Sequence, residues 1–290
     1  MKNKLLPFFI LIILSFIWGS SFILIKKGLV SFTPLEVGML RIFFAYIVAL
    51  PIAVKYFRVY FKENWKKLFV YGMMANLIPA ILFAKAETGL SSSLTGILNS
   101  ITPIFTLIIG AIFFSTAIKS KQLLGLTVSF IGSLILSFIG AEGSLGSFNY
   151  YALFVIAAAI LYGYTANLVK VHLHHVSSLA ITSIALFTIG PFTFFYLLLS
   201  EVPGKVAAGG DVLLSLLYLF ILGAFGTTFA LVLFNKLIQM TTAVFATTIT
   251  YLIPIMAVAW GALDGESIFP LHFAGMFLVI LGVYLINKFR

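Results

Sequence analysis

Seven runs of the sequence, 5–25, 88–118, 122–141, 143–169, 176–200, 212–235 and 237–263, extend for 20 or more positions without a charged residue. About 20 apolar residues at helical rise cross the ~30 Å hydrocarbon core of a bilayer, so each run is long enough to span one. The runs 68–84 and 267–287 add two more, and 34–54 adds a tenth if Glu36 and Arg41 are tolerated inside it. Strands of a membrane barrel are excluded, because they alternate apolar and polar residues over about ten positions. With 62% hydrophobic and 9% charged residues, the chain has too little charge to coat a soluble surface. The expected fold is an all-α polytopic membrane protein. Ten spans use about 200 residues, which leaves no room for a soluble catalytic domain. The first span follows Lys2 and Lys4 as a signal peptide would, but its uncharged run exceeds the 7–15 residues of a signal core.

If the amino terminus lies in the cytoplasm, thirteen of the 18 basic residues fall on that side: Lys2, Lys4, Lys55, Arg58, Lys62, Lys66, Lys67, Lys119, Lys121, Lys170, Lys236, Lys288 and Arg290. Lys26, Lys27, Lys85 and Lys205 fall on the other. The positive-inside rule therefore places both termini in the cytoplasm. The net charge of +10 reads as orientation and attraction to anionic lipid, with no nucleic acid implied.

The chain repeats itself. An offset of 151 pairs Gly72 with Gly223, Asn76 with Thr227, Phe83 with Phe234, Lys85 with Lys236, Asn99 with Thr250 and Pro103 with Pro254. An offset of 150 pairs Gly125 with Gly275 and Gly132 with Gly282, and one of 144 pairs Trp18 with Tyr162, Lys26 with Lys170 and Arg41 with Ala185. The changes of offset fall at loops. Two units follow, 1–141 and 142–290, each of five helices. An odd number of spans starts the second unit from the opposite side, so the repeats are expected to be inverted. Inverted repeats recur in secondary transporters, with substrate held near the midplane.

Several stretches carry a family resemblance: Trp18-Gly19-Ser20-Ser21-Phe22, the segment from Pro34 to Arg41, Leu98 to Phe105, and Tyr251-Leu252-Ile253-Pro254-Ile255 followed by Gly261. In these the chain resembles the EamA-type ten-helix exporters of the drug/metabolite transporter superfamily. The resemblance implies efflux or exchange of small metabolites, amino acids among them, across a bacterial inner membrane, and it adds Tyr251 to the candidate substrate contacts. The family's Glu before the Gly of each last span is matched by Glu266 before Gly275, but Thr116 stands in that place before Gly125. No role is assigned to Glu266.

Arg41 is the most informative side chain, since a charge within a span marks a functional site by default. It either faces a central cavity and attracts a substrate carboxylate, or snorkels outward or bonds loop carbonyls and Glu36. Trp18 and Tyr162 lie well inside their spans, away from the interfacial belt, and either line a cavity or pack. Asn76, Asn99 and Thr227 are candidate polar contacts or interhelical glue, as is Asn167. Pro103 and Pro254 each free a carbonyl, which suits a hinge or a static kink. The glycine stripes of spans five and ten suit close packing within the chain or in a homodimer.

Other chemistry is poorly supported. The chain has no cysteine. His172, His174 and His175 sit together without a neighbouring carboxylate, so a solvated loop outweighs a metal site. No phosphate-binding glycine loop or cofactor motif is present. Lys85 and Glu87 read as interfacial. The expected function is a secondary transporter of a small metabolite, with a lipid flippase or a membrane-embedded enzyme as alternatives. The enzyme would need a paired nucleophile and base or a metal triad within the spans.

Overall fold

The computed structural model describes residues 5–90, 92–117, 120–139, 149–263 and 270–288, and the regular secondary structure among them is helical. The first span is α1 (Leu6–Gly28). A reciprocal cap starts the second. The Thr33 hydroxyl accepts the Glu36 N–H, the Glu36 carboxylate accepts the Thr33 N–H at 2.8 Å, and Pro34 sits in the first turn, where no intrahelical donor is needed. Helical backbone then continues through α2 (Pro34–Gly72), a π-helical turn (Met73–Leu77) and α3 (Ile78–Ala86).

As a straight rod these 53 residues would reach about 80 Å, far beyond one bilayer crossing. They double back instead. A Cβ on Gly38 would lie 2.7 Å from Ile81, and Ile42 shares an apolar cluster with Leu77 and Ala80. The reversal falls about midway, close to residue 60, where Lys55, Arg58, Lys62, Lys66 and Lys67 are concentrated. The runs 34–54 and 68–84 are separated here in the sequence, and the backbone remains helical between them; Pro34–Ala86 thus supplies spans two and three.

Span four joins α4 (Ser92–Leu98), a 3-10 turn (Asn99–Ile101) and α5 (Thr102–Phe114). Spans five to seven are α6 (Ser120–Ile139), α7 (Ala152–His172) and α8 (Ser178–Leu199). The short α9 (Val202–Ala208) ends at Gly209 and Gly210, both at φ +69°, which residues with a Cβ rarely adopt. Span eight joins α10 (Asp211–Ile221), a second π-helical stretch (Leu222–Phe229) and α11 (Ala230–Met240). It runs one turn past Lys236, whose charge marked the end of the run; that side chain is exposed, so the helix passes through it. Span nine joins α12 (Ala243–Thr247) and α13 (Ile249–Leu263), and α14 (Pro270–Lys288) is the tenth. The boundary between 141 and 142, and Glu266, lie outside the described residues.

Two apolar clusters pack toward opposite ends of the bundle. Leu11, Leu14, Tyr71, Leu173, Leu237 and Phe245 pack at the end that carries the chain termini. Phe22, Ile25, Phe83, Val155, Leu219 and Ile253 pack toward the far end. There, α9 is tied to the start of α2 by Lys205 and Glu36 at 2.7 Å. Phe9, Ile12, Phe195 and Leu199 point outward, as lipid-facing side chains do. A Cβ on Gly282 would stand 2.6 Å from the Gly125 carbonyl, so the small-residue stripes pack α6 and α14 together within one chain.

Packing between the middle helices is paired. A Cβ on Gly72 would lie 2.8 Å from the Ala185 carbonyl of α8, and one on Gly223 2.7 Å from the Arg41 carbonyl of α2. These are corresponding positions in the repeat, glycine with glycine and Ala185 with Arg41. The two π-helical stretches correspond as well.

Candidate functional site

A π-turn inserts a residue into the helical register and turns side chains that an α-helix would direct elsewhere, and such turns are frequent at functional sites. Each π-turn here holds a polar side chain bonded to the carbonyl five residues back. Asn76 Nδ2 donates to Tyr71 at 3.4 Å and Thr227 Oγ1 to Leu222 at 3.2 Å. Asn76 Oδ1 is enclosed and meets no hydrogen-bond partner. Thr227 Oγ1 also accepts a hydrogen bond from Arg41 Nε at 2.9 Å.

That bond aims the Arg41 guanidinium inward, away from the interface. Its terminal nitrogens make no hydrogen bond among the described residues, although a guanidinium offers five N–H donors. Glu36 is taken up by Thr33 and Lys205, so it does not neutralise Arg41.

Between the two apolar clusters lies a cavity of about 830 Å³, counting the part continuous with its mouth. Trp18, Arg41, Asn76, Asn99, Tyr162 and Thr227 all line it. Two aromatic contacts flank it. Trp18 meets Phe234 edge-on at 5.1 Å toward the termini end, and Tyr162 stacks on Phe83 at 5.9 Å toward the far end. Both partners of one pair correspond to both partners of the other in the repeat. The Trp18 indole donates to the Gly226 carbonyl at 2.9 Å, anchoring α1 to the π-turn of span eight.

Tyr251 does not join this group. It is fully buried against Leu107 and Leu126. The neighbouring Thr250 faces the cavity, and consecutive helical residues diverge by about 100°. Asn167 is interhelical glue, donating to the Thr106 and Gly163 carbonyls at 2.8 and 2.9 Å. His172 packs on Phe114, and among the described residues no group of His, Asp and Glu is placed to hold a metal. Glu87 is not simply interfacial. Its Oε1 is enclosed without a partner, while Oε2 accepts from Ser92 at 3.1 Å. The cavity also takes in Tyr71, Thr102 and Thr165, which carry no signal in the sequence beyond being polar within a span.

Both prolines act through the carbonyl four residues earlier. Pro103 frees that of Asn99, which accepts from Thr102 Oγ1 at 2.7 Å. The Asn99 Oδ1 accepts from the same hydroxyl, which leaves its Nδ2 without a partner among the described residues. Pro254 frees the carbonyl of Thr250, and Ser100 Oγ donates to it at 2.9 Å across the interface of spans four and nine. Ser100→Ala is therefore expected to destabilise the protein by about 1–2 kcal/mol, because a buried acceptor loses its donor. Thermal melting in detergent checks this; an unchanged midpoint would show that the freed carbonyl finds another partner.

The EamA-like transporter family model matches the chain twice, over residues 5–138 and 149–288. A probable amino-acid metabolite efflux pump of Salmonella typhimurium is 27% identical over 97% of this chain and 94% of its own length. One of the same description from Escherichia coli is 28% identical over 94% and 91%. An uncharacterized transporter of Archaeoglobus fulgidus is 26% identical over 94% and 95%. A crystal structure at 14% identity superposes with a TM-score of 0.72, covering 98% of this chain and 96% of its own, and shows the likeness of fold.

Proposed function

Because the chain belongs to the EamA-like transporter family and is a multi-pass membrane transporter rather than an enzyme, we propose that it is a secondary transporter exporting or exchanging a small zwitterionic metabolite of the amino-acid class. The observation that carries this reading is a pair of unmet polar groups on two residues that line one cavity. The Arg41 terminal nitrogens are donors without acceptors, and Asn76 Oδ1 is an acceptor without a donor. A carboxylate satisfies the first and an ammonium the second, while the aromatic walls receive an apolar side chain. The description of two relatives as probable amino-acid metabolite efflux pumps supports the same class.

Alternating access through two inverted five-helix units is the proposed mechanism. Its support is the correspondence of the π-turns, the glycine contacts and the two aromatic pairs on either side of the cavity. The proposed setting is a cell inner membrane with both termini cytoplasmic, supported by the excess of Lys and Arg on that side.

A thermal-shift screen tests the substrate class, since a ligand selective for the folded state raises the apparent melting temperature. Free α-amino acids are expected to stabilise the protein, and their amides and N-acyl derivatives to lose most of the effect. Stabilisation by the blocked derivatives equal to that by the free amino acids would overturn the assignment.

A further inference from the structure

Lys170 stands at the end of α7 and its ammonium reaches across to the corner between spans eight and nine. It donates to the carbonyls of Ile238, Gln239 and Thr241 at 3.2, 3.5 and 2.5 Å. These belong to the last turn of α11 and its cap, where carbonyls lack intrahelical partners and a cation is favoured. The contact fastens the second unit's first helix to its own third and fourth spans at the termini end. Gln239 reinforces the same corner by donating to the Val176 carbonyl at 2.7 Å.

The sequence repeat gives every part of this device a counterpart. Lys170 corresponds to Lys26 at the end of α1, and the positions 238, 239 and 241 correspond to 87, 88 and 90, the corner between spans three and four. The counterpart corner lies at the far end of the bundle. There the device is undone: Lys26 is exposed and makes no hydrogen bond or ion pair among the described residues. Where the second unit has Ile238, the first has Glu87, with Oε1 enclosed and unpartnered. Burial pushes this carboxyl well above the usual carboxylate range, against the opposing pull of Ser92, Lys26 and Arg41. The unpartnered oxygen stands at the corner that corresponds to the one Lys170 caps, and Lys26 is the matching cation.

We propose that Lys170 and Lys26 are alternating latches. The Lys170 latch is closed onto the 238–241 corner in this structure, and the Lys26 latch closes onto Glu87 and the 87–90 corner when the first opens. The inference rests on the alternating-access reading above and identifies the contacts that exchange. The Lys170 latch closes on backbone carbonyls and the Lys26 latch gains a carboxylate, so the two end states are not equivalent.

The absence of native cysteine makes the test direct. Ser21 lines the cavity, and Ser21→Cys in oriented proteoliposomes reports exposure to a membrane-impermeant maleimide applied from either side. Lys170→Met is expected to raise labelling from the termini side, and Lys26→Met and Glu87→Gln each to raise labelling from the far side. Each change should be about tenfold, the scale that loss of a charge-assisted hydrogen bond sets on a two-state equilibrium. The exchange Lys26→Glu with Glu87→Lys should return labelling toward that of the parent. Parental labelling in Lys26→Met and Glu87→Gln, or no rescue by the exchange, would overturn the proposal.

A disulfide measurement covers variants that fold poorly. Lys26→Cys with Glu87→Cys should cross-link under mild oxidation, and more readily when Lys170→Met is added. No cross-link in either background would overturn the proposal equally. Neither readout requires a substrate, so an error in the assigned substrate class would leave both unaffected.

Discussion

Arg41→Met is expected to reduce transport of the zwitterionic substrate by on the order of 100-fold while leaving the folded protein at least as stable as its parent. The two halves of this expectation have separate causes. A guanidinium gripping a carboxylate through its terminal nitrogens makes charge-assisted hydrogen bonds of about 1.5–3 kcal/mol each, so losing two costs a hundredfold or more in affinity. Within the fold, by contrast, Arg41 is a half-buried charge with one hydrogen bond among the described residues, to Thr227. Replacing an under-compensated charge by an apolar side chain of similar length is neutral or stabilising. Arg41→Lys should fall between, since it keeps the charge and loses both the fork and the Nε bond. Counterflow in liposomes and melting in detergent measure the two effects independently. Undiminished counterflow by Arg41→Met would remove the residue from the site, and a collapse of stability would reassign it to the framework.

Much of the fold was legible because membrane spans write themselves as uncharged runs, and the repeat showed as matched glycines, prolines and aromatics at nearly constant offset. Six of the expected contacts meet in one cavity, because each carries a polar atom within a span, and such atoms avoid lipid. Other features left no such mark. The π-turns at Met73–Leu77 and Leu222–Phe229 change the helical register by one residue without a distinctive composition, yet they set the direction of Asn76 and Thr227. Tyr251 was assigned by a motif, and a motif does not resolve which of two adjacent residues faces inward. The enclosure of Glu87 depends on Ser92 and on packing around the turn, which spacing along the chain does not show. The reversal near residue 60 holds no Gly or Pro, so composition does not mark where the helical backbone turns.

The second large effect concerns the glycines at which the middle helices touch. Gly72→Ala and Gly223→Ala are both expected to destabilise the protein by about 2–3 kcal/mol, because the added Cβ would stand 2.8 and 2.7 Å from backbone carbonyls that cannot swing aside. The helices must separate, and what they carry differs. Gly72 presses on Ala185, which bears no functional group, whereas Gly223 presses on the carbonyl of Arg41 and lies 3.0 Å by the same measure from the N–H of Ala45. Moving α2 away from span eight stretches the Nε bond from Arg41 to Thr227, four residues beyond Gly223 on the same helix. Gly223→Ala should therefore weaken substrate binding at least tenfold beyond any loss of folded protein, while Gly72→Ala should lower the melting temperature with little change in the affinity of the protein that remains folded. Ligand titration of the folded fraction of each variant decides the matter. Equal affinity losses would mean that both contacts serve only the framework, and the asymmetry between the two units would then have to reside elsewhere than at Arg41.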